Sequence, residues 1–296
     1  MRLCFASQHN GSFVALARGD GWVNLSQAMR AYPAKFSWLL LYPEHTLVDS
    51  LRHTVDLLRT LTEFVADLEN TREIDRYRVQ GQMQILAPTT NPSKIVALGR
   101  NYAAHAAERG KAVPTEPVLF AKAPSSIIGP QADIVYPDGV QRLDPEIELG
   151  VVIGRRARRV PEEQAMQHVA GYTIVNDVTA RDVQEIAQDK GYPWFVSKSM
   201  DTFCPMGPYL VLPDEVPDPH ALEITLRVNG EVRQHSNTGM MVFKIPQLIA
   251  YISQRMTLEP GDIIATGTPE GIAPIQRGDV VECSITGLGT LSNCVV

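Results

Sequence analysis

Leu143-Asp144-Pro145-Glu146-Ile147-Glu148-Leu149-Gly150-Val151-Val152-Ile153-Gly154 reads as one β-strand with two acids at its start. Side chains alternate across a strand with period two, so Glu146 and Glu148 share one face while Ile147 and Leu149 take the other. Two like charges side by side repel unless a cation lies between them. All-oxygen ligands at this spacing suit a hard divalent ion such as Mg²⁺ or Mn²⁺. A solvent-facing edge with two exposed glutamates is the competing reading. A third acid comes from Gly171-Tyr172-Thr173-Ile174-Val175-Asn176-Asp177, an apolar run that ends in polar residues. Strand ends that face a loop are common places for ligating groups. Asp177 also suits the N-cap of a helix running on from Val178.

Outward from this segment, short β-branched runs at 95–98, 173–175, 263–265 and 280–284 alternate with Gly and Pro. Helical patterns are fewer, at 102–109, 161–168 and 245–255. This texture predicts an α+β fold dominated by strands, not a regular βαβ series. Before it, strand-like runs at 3–6 and 13–17 and a turn at Gly19-Asp20-Gly21 precede an amphipathic stripe of Leu47, Leu51, Val55, Leu58, Leu61, Val65 and Leu68. The loop Pro88-Thr89-Thr90-Asn91-Pro92-Ser93 divides a small N-terminal β/α module, 1–90, from a larger catalytic domain, 91–296. Gly287-Leu288-Gly289 lacks the third glycine of a dinucleotide loop and is expected to be a turn between two final strands.

The composition excludes several classes. Across 296 residues, 27 basic and 33 acidic side chains give a net charge of -6, with no basic stripe to hold nucleic acid. No run of apolar residues is long enough to span a membrane. Cys4, Cys204, Cys283 and Cys294 lie far apart and form no C-x-x-C pair. Four free thiols suit a reducing compartment, so a cytoplasmic protein is expected.

His105 and Glu108, three apart on a predicted helix, can bring a carboxylate to an imidazole. On spacing alone, a surface ion pair is the better reading. Six ordered segments together resemble the fumarylacetoacetate hydrolase family, in its acylpyruvase and 2-hydroxyhepta-2,4-diene-1,7-dioate isomerase-like branch. They are Gly99-Arg100-Asn101-Tyr102 through Glu108, Asp144 through Gly150, Asn176 through Gln184, Ser197-Lys198-Ser199-Met200-Asp201-Thr202-Phe203, Arg233 through Thr238, and Leu258 through Gly271. The likeness covers roughly two thirds of the chain.

The resemblance implies a homodimer of that family's β-rich fold, with one divalent metal per subunit, Mg²⁺ first and Mn²⁺ or Ca²⁺ as alternatives. It implies Glu146, Glu148 and Asp177 as metal ligands, His105 and Glu108 as a catalytic dyad, and Lys198 as the active-site lysine. Arg100, Tyr102, Gln184 and Thr268 would contact substrate. A closing segment is expected between Asn101 and Pro117. The implied reaction is hydrolysis of a C–C bond in an acylpyruvate-type 2-oxo acid, with His105 activating water and pyruvate leaving as an enolate held by the metal and Lys198. The same chemistry would serve oxaloacetate decarboxylation, 2-oxo acid isomerisation or tautomerisation, or ureidoglycolate cleavage. A non-catalytic binding protein on the same fold is the alternative of another class. Pro145, Val196 and Met200 depart from the residues frequent at those places in the family, which leaves the substrate open.

Overall fold

A computed structural model describes residues 1–9, 11–36, 57–89 and 91–296. The chain opens on β1 (Arg2–Gln8), β2 (Gly11–Arg18) and β3 (Gly21–Asn24), with the expected turn at Gly19-Asp20. Next come α1 (Leu25–Arg30), α2 (Pro33–Phe36), α3 (Leu57–Asn70) and β4 (Gln84–Leu86). Of the amphipathic stripe, Leu61, Val65 and Leu68 are buried. Leu47, Leu51 and Val55 lie outside the described residues. The N-terminal strands do not stand apart: β1 pairs with β12 (Cys204–Val211), Leu3 opposite Leu210.

The larger part supplies β5 (Ile95–Gly99), α4 (Ala103–Glu108), β6 (Val118–Lys122) and β7 (Ile127–Ile128). Then follow β8 (Leu143–Asp144), β9 (Ile147–Ile153), β10 (Val169–Asn176), β11 (Thr179–Ala180), α5 (Arg181–Asp189) and α6 (Phe195–Lys198). After β12 come β13 (Glu223–Val228), β14 (Glu231–Asn237), α7 (Ile245–Arg255), β15 (Ile263–Ala265), β16 (Val280–Ile285) and β17 (Gly289–Cys294). The fold is mixed and strand-rich, with one eleven-stranded sheet whose main path runs β3-β2-β1-β12-β10-β9-β15-β5-β6. A four-stranded sheet, β14-β13-β16-β17, packs its apolar face into the same core. The expected turn at 287–289 joins β16 to β17.

Soon after β6, at the edge of the large sheet, β7 pairs with β12. The sheet therefore curls until its β6 edge lies near β12 and β10. That curl lets Lys122, last residue of β6, reach Asp177 beyond the end of β10. All seven residues of β9 are buried, as a strand covered on both faces requires. Burying each Ile, Leu or Val there contributes about 1.5–3 kcal/mol. Gly150 has no side chain for a reason of space: a Cβ there would lie 2.8 Å from Val175 Cγ2.

Two expectations need correction. Residues 143–154 do not form one strand: Pro145, which has no N–H, and Glu146 separate β8 from β9. No helix starts behind Asp177. Short strand β11 intervenes, and α5 begins at Arg181 with Ala180 in the N-cap position. Among the described residues no helix is long and apolar enough to cross a membrane.

Candidate functional site

Strand register assembles the acids. β9 and β10 run antiparallel with Val175 opposite Glu148 and Asn176 opposite Ile147. One step further, Asp177 N–H donates to the Glu146 carbonyl at 2.8 Å. Glu146, Glu148 and Asp177 each offer an oxygen, and the three lie within 4.8 Å of one another. Glu146 is 4% exposed, Glu148 1% and Asp177 0%, which removes the exposed-edge reading.

Basic groups surround two of the three acids. Arg181 donates to Glu146 and, at 2.7 Å, to Asp144. Lys198 Nζ donates to Glu146 Oε2 at 2.8 Å, to Asp177 Oδ2 at 2.5 Å and to Thr179 Oγ1 at 2.6 Å. Lys122 Nζ donates to Asp177 Oδ1 at 2.6 Å. Glu148 differs: it accepts from the Gly267 amide at 2.8 Å, and among the described residues no basic side chain pairs with it. Gly267 sits at φ 97, where a side chain would be strained and its Cβ would lie 2.7 Å from that of Asn101.

These surroundings act in opposite directions on neighbouring groups. Burial pushes Glu146 up, but Lys198 and Arg181 outweigh it and hold the carboxyl well below its usual range. Burial and then the nearby Asp177 charge push Glu148 well above the usual range. Burial alone would lower Lys198, yet Asp177 and Glu146 raise it, so its ammonium stays charged. A buried carboxylate left without a cation beside two like charges is a place for a positive ion. The all-oxygen donor set fits a hard divalent cation.

The dyad stands beside this cluster. His105 lies buried on α4, with Nδ1 3.4 Å from Glu108 Oε2. Glu108 Oε1 accepts from the Gly271 amide at 3.0 Å, which fixes the carboxylate that faces the ring. Burial lowers the His105 pKa, the Glu146 charge opposing, so the imidazole is neutral near pH 7. A cavity of about 390 Å³ joins His105 to Glu146, Glu148, Lys198 and Thr268.

Residues 94–296 match the family described as Fumarylacetoacetate (FAA) hydrolase C-terminal. The chain belongs to the fumarylacetoacetate hydrolase family. It is 45% identical over 255 residues, 81% of each chain, to a mitochondrial oxaloacetate tautomerase, FAHD2A, of Bos taurus. Among solved structures it resembles maleylpyruvate hydrolase of Sphingobium sp. SYK-6 in complex with manganese(II) and pyruvate, at a TM-score of 0.78 and 31% identity. That match covers 100% of this chain and 99% of the other. It also resembles fumarylpyruvate hydrolase of Pseudomonas aeruginosa in complex with Mn²⁺ and pyruvate, at a TM-score of 0.67 and 35% identity, over 74% of this chain and 94% of that one.

Within this member of the fumarylacetoacetate hydrolase family, the expected substrate contacts divide. Arg100, Gln184 and Thr268 line the cavity. Tyr102 does not; it is 1% exposed and packs in the main core. The Thr268 hydroxyl is already engaged, donating to the Ile147 carbonyl and accepting from Gln234, each at 2.9 Å. His235 is exposed on β14 and bonded to Thr225, away from the cavity. Val196 is 62% exposed and also outside the lining.

Sequence reasoning missed Lys122, Arg181 and Asp144. For Lys122 the available signal was a lysine closing the apolar run Val118-Leu119-Phe120-Ala121, at a place where a solvated end is the ordinary reading. Its side chain is fully buried against Asp177. Lys122→Met should therefore lower the stability of the metal-free protein by about 2 kcal/mol, because Asp177 Oδ1 loses a charge-assisted hydrogen bond while Lys198 stays on Oδ2. Urea unfolding checks this, and a change inside about 0.5 kcal/mol would show that Lys122 carries no such weight.

Proposed function

We propose that this protein is a divalent-metal-dependent enzyme that moves a proton at C3 of a small 2-oxo acid, with keto–enol tautomerisation of oxaloacetate as the leading reaction. The observation that carries it is one cavity lined by Glu146, Glu148 and a buried, neutral His105, with an Asp177 oxygen within 4.8 Å of both acids. Glu146, Glu148 and Asp177 would hold Mg²⁺ or Mn²⁺. When bound, the ion supplies Lewis acidity to the carboxylate and keto oxygens of a 2-oxo acid, which makes the C3 proton easier to remove.

The chain's own groups do the rest. His105 is neutral, so it can take the proton and return it. Glu108, held by Gly271, orients the ring through Nδ1 and leaves Nε2 to carry the proton. Lys198 places a fixed positive charge beside any oxyanion that develops over the floor. Phe120 and Trp194 line the cavity and exclude water from its walls. The 45% identity to an oxaloacetate tautomerase over most of both chains supports this reaction.

Hydrolysis of an acylpyruvate is the second reading, supported by the likeness to two hydrolases solved with manganese and pyruvate. In that reaction His105 takes its proton from water instead of carbon. One assay separates the two. Purified protein with Mn²⁺ is expected to speed the loss of enol-oxaloacetate absorbance, EDTA to abolish the effect, and added Mn²⁺ to restore it. Pyruvate released from fumarylpyruvate or acetylpyruvate, with oxaloacetate untouched, would transfer the assignment to the hydrolase. Silence on both, with metal bound, would refute enolate chemistry at this site.

A further inference from the structure

One oxygen of each acid in the cluster is already held by a donor from elsewhere in the fold. Asp177 Oδ1 accepts from Lys122 Nζ at 2.6 Å, Glu148 Oε2 from the Gly267 amide at 2.8 Å, and Glu146 Oε1 from Arg181 Nη2. Two of these donors are cations, and both are anchored. The Lys122 ammonium also donates to the Val178 carbonyl at 3.3 Å and to the Lys198 carbonyl, which uses its three protons, and its side chain is 0% exposed. Arg181 is held in turn by Asp144 at 2.7 Å and Gln184 at 2.5 Å. Neither can leave its oxygen without breaking further buried hydrogen bonds. Glu146 Oε2, Glu148 Oε1 and Asp177 Oδ2 remain, one oxygen for each acid. Lys198 donates to the first and third, but a carboxylate oxygen has two lone pairs, so each still has one for an ion.

This arrangement bears on which ion fits. An ion that took both oxygens of Asp177 or Glu146 would meet the Lys122 ammonium or the Arg181 guanidinium as a like charge, in a buried place where screening is weak. Ligation through a single oxygen keeps it clear of both. Mn²⁺ suits octahedral sites of about six oxygens, and three single oxygens leave the other positions to water or a substrate. Ca²⁺ takes about six to eight oxygens and gathers them in part through bidentate carboxylates. We propose that Lys122 and Arg181 set the ion selectivity of this site, restricting Asp177 and Glu146 to one ligating oxygen each and so favouring Mn²⁺ over Ca²⁺. Both are positioning residues: they touch the carboxylates and not the ion. This rests on the reading of the three acids as metal ligands.

Calorimetric titration of the metal-free protein with Mn²⁺ and with Ca²⁺ tests this without turnover. Wild type is expected to bind Mn²⁺ about 100-fold tighter, roughly tenfold for each restricted acid at one charge-assisted contact apiece. Lys122→Met should narrow that ratio about tenfold, chiefly by raising Ca²⁺ affinity, because Asp177 can then offer both oxygens. Arg181→Met should narrow it likewise through Glu146. Lys122→Arg keeps a cation at Asp177 Oδ1 and should keep the ratio. A purely structural role predicts another pattern, with both ions weakened in proportion and the ratio unmoved. That pattern in Lys122→Met and Arg181→Met would overturn the inference, as would equal affinity of wild type for the two ions. Binding of neither ion would remove the metal reading itself, and this inference with it.

Discussion

Glu148→Gln is expected to abolish tight Mn²⁺ binding and to lower kcat/KM on the preferred 2-oxo acid by about 10³-fold or more, the worth of several kcal/mol of Lewis-acid stabilisation. The same substitution should raise the melting temperature of the metal-free protein. Burial first, and then Asp177, lift the Glu148 pKa in the fold above its ordinary value of 4.5. For a group raised in this way, stability is fully present below the unfolded value and is lost as pH rises through the folded one. Metal-free wild type should therefore be most handicapped at alkaline pH, whereas glutamine does not titrate. The gap between variant and wild type should widen from pH 5 to pH 8. Scanning calorimetry in EDTA at both values, with Mn²⁺ titration of the same samples, checks both halves. Wild-type Mn²⁺ affinity in the variant would remove Glu148 from the ligand set.

His105→Gln should act differently, because the imidazole is no part of the acid cluster. A fall in kcat of about 10²- to 10⁴-fold is expected, the usual share of a positioned base, with Mn²⁺ affinity unchanged. The pH profile adds a second readout. Burial lowers the His105 pKa below the ordinary 6.5, so the neutral form persists to lower pH than for a solvated imidazole. The acid limb of kcat/KM should fall only as pH drops below 6.5, and His105→Gln should lose that limb. A variant that keeps wild-type kcat would take the proton-transfer role away from His105. The two substitutions are distinguishable: one removes the metal and the reaction together, the other the reaction alone.

Much of the architecture was legible in residue pattern. β-branched runs between glycines and prolines mark β5, β9, β10, β15 and β16, because strand residues must pack a pleated surface and chain reversals need Gly or Pro. The two-residue spacing of Glu146 and Glu148 marks them as one acid pair, although Glu146 lies in the break before β9 and not on the strand itself. The helical pattern at 161–168 forms a 3₁₀ helix, a type that short polar segments give no periodicity strong enough to distinguish from α.

The sequence by itself determined the strand-rich class, the pairing of Glu146 with Glu148, and, through ordered motifs, the family to which residues 94–296 belong. Tertiary structure decided what surrounds those acids. Lys122 is 55 residues from Asp177, and only the curl of the sheet brings them to 2.6 Å. Arg181 and Lys198 reach Glu146 from α5 and α6, which no local pattern links to β9. The left-handed Gly267 aims its amide at Glu148 from the end of a different strand. Local sequence reports the face a residue occupies, because that depends on backbone period alone. Charge balance, and with it the orphaned Glu148, depends on distances between segments remote in the chain, and those exist only once the core has closed.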